Sequence, residues 1–161
     1  MGIPKGTDIL WKALKLCKSD FNILQVDWRD IGTDEENRTS SNLRENLPSQ
    51  VKLIPMIKRK DMSKYYQWCD AVIGNLKIGS FEYVELEAVM CKKPVISFTD
   101  KNIKIVFNEK EVEAPFIPEN NDPKVIAELI DKIVLSQQFR EEVFERESEF
   151  VKKISDPKMA G

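Results

Sequence analysis

Between Ala71 and Ser97 the chain passes through a short apolar segment, a Gly79-Ser80 break, an apolar helical repeat and a second short apolar segment. A helix inserted between two strands carries the chain back to the end where it started, so the second strand returns parallel to the first. Ala71–Gly74 and Pro94-Val95-Ile96-Ser97 read as such strands, and Phe81–Cys91 as the helix between them. The remaining pattern repeats this alternation. A helix follows Lys5-Gly6-Thr7, with Thr7 able to cap it and Ile9, Leu10, Ala13, Leu14 and Cys17 forming one stripe. Residues 21–28 and Val51–Pro55 read as strands, separated by a polar stretch, Arg29–Ser49, that is mostly loop with a short helix around Leu43. Asp61–Trp68 reads as a helix. A short strand is expected near Ile103–Phe107 and an extended segment at Ala114–Pro118. Two amphipathic helices close the chain, one on Val125, Ile126, Leu129, Ile130, Ile133 and Val134, the other on Phe139, Val143, Phe150 and Ile154. The expected fold class is α/β: a Rossmann-like, mostly parallel sheet with helices on both faces, in one domain spanning 1–161.

Composition removes several classes of function. Lys plus Arg total 25 against 27 Asp plus Glu, a net charge of -2, so nothing broad attracts nucleic acid or an anionic membrane. With no histidine, His-based metal sites and His-dependent triads are excluded, and no metal site is expected. Cys17, Cys69 and Cys91 match no zinc spacing and read as buried free thiols of a reducing compartment. No apolar run approaches a membrane span and no signal-peptide pattern opens the chain, so the expected location is cytoplasmic.

In open parallel sheets ligands bind beyond the carboxyl ends of the strands, which directs attention to the loops Gly2–Thr7, Pro55–Asp61 and Asn75–Glu82. Lys5-Gly6-Thr7 places a cation and a glycine at a helix start, where unpaired N–H groups and the dipole favour an anion such as phosphate; ordinary capping beside a solvated lysine fits the tripeptide as well. Gly79-Ser80 repeats the device, or Ser80 is a plain N-cap. Glu87 lies roughly 140° or more around its helix from Glu82 and Glu85, with Tyr83, Val84, Met90 and Cys91 as angular neighbours. A carboxylate on an apolar face needs a partner, which ribose hydroxyls or a structural donor would supply equally well. The backbone of Met56, Ile57 and Lys58 could read a base edge. Lys58-Arg59-Lys60 reads as a solvated charge run, and Asn120-Asn121-Asp122-Pro123 as a helix start with Pro at the first position.

Taken together, Ile3-Pro-Lys-Gly-Thr-Asp-Ile-Leu, Tyr65-Tyr-Gln-Trp-Cys-Asp-Ala-Val-Ile and Leu86-Glu-Ala-Val-Met-Cys-Lys-Lys-Pro-Val-Ile resemble the C-terminal, donor-binding domain of retaining GT-B glycosyltransferases, the group 1 family. The resemblance implies that Lys5 contacts the diphosphate of a nucleotide-sugar donor; Gly6 and Thr7 beside it, and Gly79, Ser80 and Phe81 at the second helix start, are counted with it as donor-binding residues. It further implies that Glu87 holds the ribose and that Met56–Lys58 faces the base. The donor is a substrate, so no cofactor is expected.

The family's pattern of two glutamates separated by seven residues has Gly79 at its first position here, and Lys92 replaces the glycine that ends the helix. The resemblance also places the family's acceptor-binding lobe and the first strand of a 3-2-1-4-5-6 sheet upstream of Met1, so a domain-only chain that binds donor without transferring sugar is expected. A non-catalytic interaction or regulatory module and a GT-B nucleotide-sugar epimerase are the alternative readings.

Overall fold

The computed structural model describes residues 5–27, 41–107 and 110–155. β1 (Ile23–Val26) and β2 (Val51–Ile54) pair in parallel, with Ile23 opposite Val51, and β3 (Val72–Ile73) pairs in parallel with β4 (Val95–Ile96). Beyond β4 the expected extended segment joins the ladder through a parallel bridge between Ile96 and Ile117. The β1–β2 and β3–β4 pairs are separate two-stranded sheets among the described residues.

Residue alternation along β3, β4 and the 117 segment builds a core on each side of the sheet. Ile73, Ile96 and Ile117 face one side and pack with α1 (Thr7–Leu14) and α4 (Pro123–Leu135) through Leu10, Ala13, Leu14, Ile126 and Ile130. Val72, Val95 and Phe116 face the other side, against α2 (Met62–Trp68), α3 (Tyr83–Met90) and α5 (Gln137–Ser155). Helices therefore cover both faces, as the strand–helix alternation requires. A short helix at residues 41–45 packs Leu43 onto the first core and gives its carbonyl oxygen to the Trp11 indole at 2.8 Å. The polar stretch expected from residue 29 lies outside the described residues as far as residue 40.

Several local expectations are corrected. Thr7 does not cap α1: it is the first helical residue and is buried, while Gly6 sits at the cap with φ 80°. Ser80 does not cap α3, a role taken by Glu82. The strand near Ile103–Phe107 is β5 (Ile105–Phe107), and it has an antiparallel partner that sequence reading passed over, β6 (Lys110–Val112). Lys110 and Glu111 mask the strand character of β6, since an exposed hairpin needs little apolar alternation. At α4 the expected Pro123 start holds, with Asp122 accepting from the Lys124 N–H at 2.8 Å. The cysteines are free but half-buried and not fully enclosed; burial pushes the Cys17 thiol up to about 11. No helix among the described residues is long and apolar enough to cross a membrane.

Candidate functional site

The loop from β3 to α3 is shaped by a buried asparagine. Asn75 Oδ1 accepts from the Lys77 and Ile78 N–H groups, both at 2.8 Å, and its backbone carbonyl takes the Phe98 N–H at 2.8 Å and the Ser97 hydroxyl at 3.0 Å. The next amide, that of Leu76, donates to the Lys5 carbonyl at 3.1 Å, which fastens the start of α1 to this loop. Gly6 and Gly79 both have positive φ, 80° and 82°, so any side chain would be strained there. A Cβ on Gly6 would also lie 2.9 Å from Leu76 Cβ, and one on Gly79 2.7 Å from Asp100 Cβ. The two glycine loops thus meet, as the sequence suggested, and each glycine is required by close approach.

What joins them is a residue that sequence reading did not select. The Lys5 ammonium donates to both carboxylate oxygens of Glu82. Glu82 is the N-cap of α3 in a reciprocal capping box: its side chain takes the Glu85 N–H, and Glu85 takes the Glu82 N–H at 2.9 Å. The Lys5 hydrogen bond, aided by the Asn75 amide at 3.4 Å and opposed by partial burial, holds the Glu82 carboxyl below its ordinary range. An acidic residue three positions before Glu85 and just ahead of an apolar run is the signal that could have identified this pair.

Glu85 itself overturns the angular argument. Tyr83 and Met90, which made the Glu87 face apolar, are 79% and 73% exposed, so that face looks outward. The carboxylate enclosed by the fold is Glu85, which is 1% exposed and also accepts from the Asn75 N–H and the Ser97 hydroxyl, each at 2.9 Å. Glu87 is partly exposed and has two partners, the Arg59 guanidinium at 3.1 Å and the Tyr66 hydroxyl at 3.4 Å. Burial and then the neighbouring Glu87 charge push the Tyr66 phenol up to about 12, so it remains a donor at neutral pH.

Arg59 ties Glu87 to the loop after β2. There Met56, Ile57 and Lys58, with Lys60, Lys64 and Tyr65, line a cavity of about 410 Å³. The structure therefore brings the sequence-selected residues to one helix. Lys5, Gly6, Gly79 and Ser80 lie around the N-terminus of α3, and the Met56–Lys58 loop is linked to its middle through Arg59. Of the other two, Thr7 is buried, and the partly buried Phe81 ring sits 5.4 Å from Phe150 and 5.9 Å from Phe116.

Residues 2–150 match the family described as glycosyl transferases group 1. Among solved structures, the fold is similar to that of Anabaena HepE in complex with UDP-glucose, with a TM-score of 0.73 and 19% identity over 99% of this chain and 45% of that one. The same Anabaena protein in complex with UDP and glucose gives a TM-score of 0.71 at 19% identity, over 97% of this chain and 42% of that one. A glycosyltransferase from Rickettsia africae gives 0.67 at 20% identity, over 97% of this chain and 41% of that one. This chain therefore spans less than half the length of these relatives. No curated protein matches it.

Proposed function

The chain belongs to the group 1 glycosyltransferase family, and from that premise we propose that it is the donor-binding half of a GT-B enzyme that transfers a sugar from a nucleoside diphosphate with retention of configuration. The observation that carries the reading is that α3 is held at two points by the two loops a nucleotide would need. Glu82, at its N-terminus, holds Lys5 of the glycine loop, and Glu87, in its middle, holds Arg59 of the loop after β2. Five residues of helix separate these carboxylates by roughly 7–8 Å along the axis at 1.5 Å per residue. A ribose and its diphosphate can bridge such a span, with the base over the cavity at Met56–Lys58.

In this reading Lys5 and the N–H groups at the starts of α1 and α3 take the diphosphate and stabilise the charge that develops as it leaves. Glu87 exchanges Arg59 for the ribose hydroxyls. Transfer requires an acceptor held in register with the donor, which a second lobe would provide. Half-buried free thiols accord with a reducing, cytoplasmic setting.

Calorimetric titration of the 161-residue chain with nucleoside diphosphates tests the proposal. Lys5→Ala is expected to weaken binding about tenfold or more, because it removes a charge-assisted hydrogen bond, worth about 1.5–3 kcal/mol, and leaves the Glu82 carboxylate uncompensated beside the phosphates. An unchanged dissociation constant would take Lys5 out of the site. No binding to any nucleotide would point instead to loops that serve protein contact.

Glu87→Gln separates a ligand role from a structural one. Arg59 is 85% exposed, so breaking its pair with Glu87 should cost less than about 1 kcal/mol of stability. Affinity for a nucleoside diphosphate should fall about tenfold, and that for its 2′,3′-dideoxy analogue should hardly move, since the analogue has no hydroxyls for the carboxylate to accept. Equal losses for both ligands would remove the ribose assignment.

A further inference from the structure

Lys5, the cation best placed for a phosphate, has its ammonium on the Glu82 carboxylate. Glu82 cannot withdraw far. Its N–H is bonded to Glu85, and Glu85 is fixed in turn by Asn75 and Ser97 inside the fold. A phosphate that takes Lys5 consequently ends within a side chain's reach of a carboxylate, and a carboxyl of ordinary acidity is ionised at neutral pH.

The cost of that meeting depends on what the phosphate carries. The terminal phosphate of a bare nucleoside diphosphate is a monoester-like group with a second pKa of about 6, and it holds close to two charges at neutral pH. With a sugar attached, the same phosphorus keeps one charge and brings hydroxyl donors, the groups a carboxylate accepts best. Gly79 cannot offer a carboxylate from its own position, since a Cβ there would lie 2.7 Å from Asp100 Cβ. Glu82, three residues on, already occupies the mouth.

We infer that Glu82 is a specificity-determining residue: it makes the diphosphate site prefer a sugar-bearing nucleoside diphosphate to the bare one, and so favours donor over the nucleotide product of transfer. The inference rests on the diphosphate reading of Lys5. A residue that merely competes for Lys5 would weaken all diphosphates alike. A residue that reads charge and hydroxyls weakens the bare one selectively.

The test is calorimetry at pH 7.5 on the 161-residue chain and on Glu82→Gln, with UDP, UDP-glucose and the β-methyl ester of UDP, and with the adenosine and guanosine counterparts. In the wild type the methyl ester, which loses a charge but gains no sugar, should bind at least about threefold more tightly than the bare diphosphate, and the sugar nucleotide more tightly still. In Glu82→Gln the bare diphosphate should tighten and the sugar nucleotide weaken, shifting their ratio about tenfold. If loss of the cap keeps the variant from folding, Glu82→Asp, which keeps an acidic N-cap but draws the carboxylate back, is expected to shift the same ratio in the same direction, and an unchanged ratio there overturns the inference. Equal affinity for the three ligands, or an equal change for all in the variant, overturns the inference and leaves the diphosphate site standing. A wild-type chain that binds none of the nucleotides overturns the diphosphate reading itself, and the inference with it.

Discussion

Glu85→Ala should lower the melting temperature by about 6–20 °C, the largest loss expected from any single change near the site. Glu85 is 1% exposed, and its two oxygens serve the Asn75 N–H, the Glu82 N–H and the Ser97 hydroxyl, each at 2.9 Å. Truncation leaves the Asn75 and Glu82 N–H groups without their acceptor, while the Ser97 hydroxyl keeps the Asn75 carbonyl at 3.0 Å, and each stranded buried donor costs about 1–3 kcal/mol. Water admitted to the new space would recover part of this, so a net loss of about 3–5 kcal/mol is expected. At roughly 2–4 °C per kcal/mol for a chain of this size, the transition moves by that margin. Function should fail with it, because the Glu82 cap and the Asn75 loop both depend on Glu85. Glu85→Gln is expected to retain part of the network, since its amide oxygen still accepts, and to melt between the two. Denaturant and thermal unfolding of the three proteins check this; a loss under about 1 kcal/mol for Glu85→Ala would show that the network is not what holds the β3–α3 loop.

A second buried carboxylate should produce an effect of similar size but opposite sign. Glu147 lies on the apolar stripe of α5, among Val143, Phe150, Val151 and Ile154, and is 0% exposed. One oxygen accepts from the Val95 N–H at 3.0 Å, and the other has no hydrogen-bond partner among the described residues. The reason for a glutamate there is the end of a ladder. Ser97 donates to Ile117 at 2.9 Å, but Val95, the previous donor on that edge of β4, gives its N–H to Glu147.

Burial pushes the Glu147 carboxyl up to about 8, against smaller opposing effects of the Val95 N–H and Arg146. Between the ordinary value of 4.5 and about 8 the folded chain therefore holds a proton that the unfolded chain has released. Stability from this group is complete below the lower value and is lost as pH rises through the window, by up to about 1.4 kcal/mol per pH unit. Glu147→Gln cannot release that proton. Relative to wild type it should gain on the order of 3 kcal/mol between pH 5 and pH 8, whatever fixed cost its amide brings at both. Melting curves across that range measure the difference directly. A wild type and variant whose melting temperatures run parallel would show that Glu147 titrates normally and is not sealed.

Both glutamates show where sequence reading stops. Glu147 stands four residues after Val143 and three before Phe150, on the stripe by spacing, yet an acidic residue is a priori a surface residue, and only the unpaired Val95 amide explains its place. At Glu87 only the direction of the helix face was misjudged. Its angular neighbours are apolar, but Tyr83 and Met90 face outward, because hydrophobic character does not say which side of a short helix meets the sheet. The eight residues of α3 are apolar nearly all round, so its rotation was set by Glu85, Ala88 and Val89 packing inward, which is a tertiary matter.

The strand–helix alternation, the parallel pairing of β3 with β4, the covering of both faces and the two glycine loops were determined by sequence alone. They follow from chain connectivity, residue alternation and backbone conformation, which are local constraints that neighbouring residues carry. The partner of Lys5, the burial of Glu85 and Glu147, and the tie from Glu87 through Arg59 to the loop after β2 were decided by the tertiary structure. Each depends on groups between 10 and 77 residues apart meeting in space, and on which backbone donors the ladders left unpaired. That remainder, an unmatched N–H beside a carboxylate within reach, exists only once the strands have been placed.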